Sequence, residues 1–187
     1  MRHTLAAFAA LSTLLAACGS PQPQAATVPV ETPTSAPTSA APTTPAQQPV
    51  GRTQTSAGGS DTVEVTVLRL RQPFPPTIPG LIDRKGYEYA GLEVKVCVTR
   101  NGGESPTAVS WSPWSLSYAS GVVVEAASSW SPEAWDEPLY PQDHIVRQGR
   151  CARGWIPFEV RAKDGRPALV SYTPSTGASL EWRVASS

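Results

Sequence analysis

The sequence predicts an all-β fold: a two-sheet antiparallel β-sandwich of about seven strands over residues 61–187. Three observations predict it. From Asp61 onward the chain breaks into short β-branched and aromatic runs divided by Gly and Pro. Within the runs apolar and polar residues alternate with period two, as in a strand with one face buried. No stretch sustains apolar residues at i, i+3 and i+4, so helix is expected to be nearly absent.

The elements follow in order. Val63, Val65 and Val67 alternate with Glu64 and Thr66 in the first run. Gln72–Gly86 carries four prolines and reads as an irregular crossing. The next run is the clearest, with Leu92, Val94, Val96 and Val98 on one face and Glu93, Lys95, Cys97 and Thr99 on the other. Asn101-Gly102-Gly103 turns the chain. Trp114, Leu116 and Tyr118 alternate with serines, and Val122–Glu125 follows Gly121. Trp111 and Trp114, either side of Pro113, are expected to pack in the core or at a strand start. Ile156, Phe158 and Val160 share a face, Leu169–Tyr172 makes another strand, and Leu180, Trp182 and Val184 oppose Glu181 and Arg183 in the last.

The region before Asp61 has a different texture. Arg2, the apolar stretch Leu5–Leu15 and Leu15-Ala16-Ala17-Cys18 form a tripartite export signal resembling that of bacterial lipoproteins. The stretch is too short for a permanent transmembrane helix. The resemblance implies cleavage after residue 17, acylation of Cys18, and anchoring of the new N-terminus to the outer face of the plasma membrane. Residues 18–60 then read as a disordered tether. Gly19–Ser60 holds eight prolines, thirteen Ser or Thr, no aromatic residue and two charges, too little apolar surface to offset the entropy of ordering. Thr in Ala/Pro context also fits O-glycosylation, and an unmodified spacer fits equally well.

Charge narrows the partners. Loss of residues 1–17 removes Arg2, so 14 basic residues face 15 acidic ones and the net charge is −1. A near-neutral chain without Lys/Arg clusters has no electrostatic footprint for nucleic acid. The membrane contact is expected through the lipid alone.

Once Cys18 is acylated, two thiols remain, Cys97 and Cys151. Outside the cytoplasm they are expected to form a disulfide, since no CxxC and no basic partner for a thiolate accompanies them. Both lie in the phase opposite the apolar residues of their runs. The bond should therefore join strands of one sheet on its outer face, rather than bridge the two sheets.

The chain resembles immunoglobulin-like lipoproteins of actinomycetes that carry a telokin-like domain of unknown function. The resemblance rests on Tyr89-Ala90-Gly91-Leu92-Glu93-Val94-Lys95-Val96, on Gly149-Arg150-Cys151-Ala152-Arg153-Gly154-Trp155-Ile156-Pro157-Phe158-Glu159-Val160, and on Ser179-Leu180-Glu181-Trp182. It covers most of residues 61–187 and implies a surface-exposed module. It assigns no functional residue.

Catalytic and metal sites are not expected, nor is a cofactor. His144, beside Asp143, is the one histidine left after processing and reads as part of a solvated turn; no nucleophile elbow, metal-ligand cluster or phosphate-cradling glycine loop occurs. The unusual stretch is Ala127–Gly149, with Trp130, Trp135 and Tyr140 among prolines and Glu133, Asp136, Glu137 and Asp143. Its aromatics either fold back over the sandwich and extend the core, or form an exposed platform for a cell-wall glycan or envelope protein. Trp130, Trp135 and Tyr140 are thus the candidate binding surface. A paired-carboxylate glycan hydrolase, or an accessory to one, is the alternative use of the same loop. A structural or antigenic surface protein without a ligand is a third reading.

Overall fold

The computed structural model describes residues 46–82, 84–103, 106–127 and 131–185. Cys18, the export signal and the tether up to residue 45 lie outside them. All described residues belong to one compact unit, Pro42–Ser187.

Eleven strands are present among the described residues: β1 (Gln47–Pro49), β2 (Thr53–Gly58), β3 (Asp61–Arg71), β4 (Tyr87–Asn101), β5 (Thr107–Val109), β6 (Trp114–Ser117), β7 (Val123–Glu125), β8 (His144–Val146), β9 (Cys151–Arg161), β10 (Leu169–Tyr172) and β11 (Leu180–Arg183). Helix is limited to two 3-10 turns, Pro132–Ala134 and Ala162–Asp164. One sheet runs β2-β3-β4-β9 and the other β1-β11-β10-β6-β7, with β5 and β8 forming a separate ribbon. Neighbours pair antiparallel except β1, which lies parallel to β11.

The alternation read from the sequence is the alternation of the core. Val65, Val67, Leu92, Val94, Val98, Ile156 and Phe158 of the four-stranded sheet meet Trp114, Leu116, Val170 and Trp182 of the five-stranded sheet, each with no exposed surface. Trp114 stacks on Trp182 with ring centroids 6.1 Å apart. The β3–β4 register shifts between Val67 and Arg69. Leu68 is the extra residue of this bulge, so Leu70 returns to the core while Arg69 and Arg71 reach the outer face.

The expected boundary at residue 61 needs correction. Gln47–Pro49 and Thr53–Gly58, assigned to the tether, are β1 and β2 of the domain. The chain pairs first with β11 of one sheet, turns at Val50–Arg52, and crosses to pair with β3 of the other. Both strands are polar, and of the two only β2 contributes a fully buried side chain, Ser56. They are held chiefly by ladder bonds that every residue type except Pro can make, so no apolar periodicity announces them.

Candidate functional site

The disulfide is present where the strand phases put it. Cys97 and Cys151 face each other across β4 and β9, within one sheet and away from the core. It is an element of stability, and it takes both thiols out of any redox or nucleophilic role.

The aromatic loop is the main correction. Trp135 is 5% exposed and Tyr140 1% exposed, so neither forms an open platform; Trp130 lies outside the described residues. Residues 132–140 instead strap the outer face of the β3-β4-β9 sheet and build a second apolar cluster of Phe74, Tyr89, Ala134, Trp135 and Trp155. Two glycines make room for it. A Cβ on Gly91 would fall 2.5 Å from the Phe74 ring, and one on Gly154 would fall 2.4 Å from the backbone nitrogen of Tyr140. Phe74 can therefore lie flat between Trp155, at 5.0 Å, and Trp135, at 6.0 Å. The strap also closes the β9 edge, with Trp155 N–H donating to the Pro138 carbonyl and Tyr140 N–H to that of Trp155.

The loop carboxylates are engaged or solvated. Glu137 is ion-paired with Arg71, whose guanidinium lies over the rings of Phe74 and Trp155. A hydrogen bond from the Ser131 hydroxyl holds the exposed Glu133 carboxyl below the usual range. Asp136 and Asp143 are exposed, and Asp143 takes a left-handed backbone. His144 is exposed on β8, so it belongs to a strand rather than a turn. On the same outer face Glu93 is buried between Arg69 and Arg153. Burial alone would raise its pKa, but hydrogen bonds from Arg153 and Arg69 outweigh that and hold the carboxyl below the usual range. Among the described residues no group of His, Cys, Asp and Glu could hold a metal ion.

What the chain brings together instead is a cleft of about 640 Å³ at one end of the sandwich. One wall is the β2–β3 end, with Ser56, Gly58, Asp61 and Val63. A second is β5 and the segment after it, with Thr107, Val109, Ser110 and Ser112. The third is the β10–β11 connection, Thr173–Thr176. Tyr140 and Tyr172 complete the lining.

The walls are tied to one another. Thr107 donates to Asp61 Oδ2 at 2.8 Å, Ser56 donates to the Ala178 carbonyl at 2.9 Å, and Thr173 N–H donates to the Pro113 carbonyl at 2.8 Å. Trp111 Nε1 donates to the Tyr140 carbonyl at 2.5 Å and fixes that residue from behind. Gly58 packs so closely on the Thr176–Gly177 backbone that a Cβ there would sit 2.5 Å away. Burial, reinforced by the neighbouring Tyr172, pushes the Tyr140 phenol far above its ordinary pKa, and burial raises that of Tyr172. Both hydroxyls stay neutral at physiological pH.

As a candidate binding residue only Tyr140 was singled out by sequence, with a buried and an exposed reading both open. The others come from strand ends and connections and are mostly Ser, Thr and Pro, so no local signal separates a cleft wall from an ordinary strand end or turn.

No protein-family model and no curated protein matches this sequence. Two solved structures share its fold. MPT63, a secreted protein of Mycobacterium tuberculosis, superposes with a TM-score of 0.56 at 17% identity, over 75% of this chain and 98% of that one. The yjhA protein of Bacillus subtilis superposes with a TM-score of 0.51 at 12% identity, over 74% of this chain and 100% of that one. At such identities the likeness is one of architecture, and it agrees with the immunoglobulin-like sandwich.

Proposed function

We propose that this chain is a lipid-anchored binding module of the cell envelope, displayed on the outer face of the plasma membrane and without catalytic chemistry of its own. The observation that carries the proposal is the Cys97–Cys151 disulfide on a domain preceded by Leu15-Ala16-Ala17-Cys18. A structural disulfide suits an oxidising compartment, and the signal resembles one that supplies the anchor. That MPT63 is a secreted protein of the same fold supports the same side of the membrane. Binding is assigned to the end cleft, a concave feature with both polar and apolar lining.

Hydrolysis by the 127–149 loop is not proposed. A general acid needs a raised carboxyl pKa, whereas Glu133 is lowered and Glu137 is paired with Arg71. Trp135 and Tyr140, two of the rings that would have gripped a sugar there, are inside.

Fractionation of cells expressing the full chain tests the anchor. The wild type should sediment with membranes and carry lipid, and Cys18→Ser should be released or left unprocessed. Membrane retention of a processed, unlipidated Cys18→Ser chain overturns the anchor. Crosslinking in intact cells tests display, and a protein reached only after lysis overturns it.

A further inference from the structure

We infer that the end cleft is a binding site for a neutral saccharide. The inference rests on reading the domain as a binding module and adds the class of ligand.

Size permits it. The volume of about 640 Å³ falls within the roughly 300–1,000 Å³ of small-molecule clefts, enough for several sugar rings rather than a single ion. Charge then excludes most alternatives. Among the described residues, Lys, Arg and His are all missing from the lining, and Asp61 is its one carboxylate. A phosphate or carboxylate ligand would meet no counter-charge and would be repelled by Asp61. A divalent cation would find one carboxylate already accepting hydrogen bonds from Thr107 and Ser60.

Polarity decides between the neutral classes. Thr107 is paired with Asp61 and Ser110 with Ser112, and a purely apolar ligand would shut water from the remaining hydrogen-bonding capacity of these hydroxyls and of Tyr140. Tyr140 is the critical one. It is the most buried ring of the lining, and its hydroxyl is not among the buried polar atoms left without a partner, so it keeps access to the cleft. A ligand that displaces water from this hydroxyl must replace the hydrogen bonds lost, and one bearing many hydroxyls does so. Asp61 retains acceptor capacity for further ligand hydroxyls. Meanwhile the half-buried Tyr172 ring and Pro174 offer apolar surface to the C–H face of a pyranose. Hydrogen-bonding groups in both directions beside apolar faces are what a neutral saccharide presents.

The site is also built before the ligand arrives. Asp61 is held by Thr107, the Pro113 and Thr173 segments by each other, and Tyr140 by Trp111. Binding therefore spends little on ordering the walls.

The test uses the processed chain, residues 18–187, with Cys18→Ser to keep it in solution. Calorimetry and NMR titration are run with chitotetraose, cellotetraose and maltotetraose as neutral probes and tetragalacturonate as the acidic one. At least one neutral probe should saturate with a Kd at or below about 1 mM, and the acidic probe should bind at least about tenfold more weakly. Thr176→Trp, an exposed position that plugs the cleft mouth, should weaken binding about tenfold or more at unchanged Tm. Tyr140→Phe keeps the ring, removes only the hydroxyl, and should weaken it about fivefold. No binding of any neutral probe at about 10 mM, equal binding of the acidic probe, or binding indifferent to Thr176→Trp each overturns the inference. Capture of an envelope protein at the cleft, with no saccharide bound, overturns the ligand class and leaves the binding module standing.

Discussion

Replacing Trp135 by alanine is the sharpest probe of how the outer face is organised. The indole is 5% exposed, lies parallel to Phe74 at 6.0 Å and 7°, and meets Tyr89 edge-on at 5.3 Å. A buried indole removes on the order of 200 Å² from water, worth about 5 kcal/mol at ~25 cal/mol per Å². That is an upper bound, because the unfolded chain already hides part of the ring. Partial collapse of the 132–140 strap onto Phe74 would recover some of the loss, so the expected cost is about 3–5 kcal/mol. For a domain of this size that lowers Tm by on the order of 10–20 °C. Thermal and denaturant unfolding by circular dichroism measure it, with the near-ultraviolet aromatic signal reporting loss of the Phe74–Trp135–Trp155 stack. Trp135→Phe should restore much of the stability. A loss below about 1 kcal/mol, with the aromatic signal intact, would refute the packing argument and return Trp135 to the surface.

Three further outcomes follow from the same geometry. The double change Cys97→Ser, Cys151→Ser opens a link between residues 54 apart in sequence and should cost up to about 4 kcal/mol; equal denaturation midpoints with and without the bond would count against it. Glu93→Gln removes the buried acceptor shared by Arg69 and Arg153 and should cost about 1–3 kcal/mol near neutral pH, towards the low end because both arginines are largely exposed. Since the folded pKa of Glu93 lies below its unfolded value of about 4.3, its contribution is complete above that pH and disappears as pH falls through the folded pKa. A stability difference between wild type and variant that stays constant down to about pH 3 would contradict this. Gly154→Ala places a methyl 2.4 Å from the Tyr140 nitrogen and should lift the strap from β9, costing roughly 1–3 kcal/mol and altering the aromatic signal; an unchanged melting curve would disprove the close approach.

The core was legible because it is written locally. Leu92, Val94, Val96 and Val98 fall on one face by the pleat alone, and so do Ile156, Phe158 and Val160. The same phase put Cys97 and Cys151 outside. β1 and β2 were illegible because Gln47–Pro49 and Thr53–Gly58 join their sheets through backbone bonds and bury few side chains. Trp135 and Tyr140 were recognised as unusual, but their burial depends on Phe74, Gly91 and Gly154, which lie far away in the chain. The cleft was invisible for the same reason, since its walls come from strands and connections remote from one another in sequence.

The sequence by itself determined the strands with sustained apolar alternation, the face each presents to the core, and the outer-face placement of the disulfide. These follow from a period of two that any extended chain must obey. Only the tertiary structure decided which loop covers the outer face and where a hydroxyl-lined hollow is left open. Those depend on contacts between residues remote in sequence, and neither composition nor spacing records which remote partner a loop will meet.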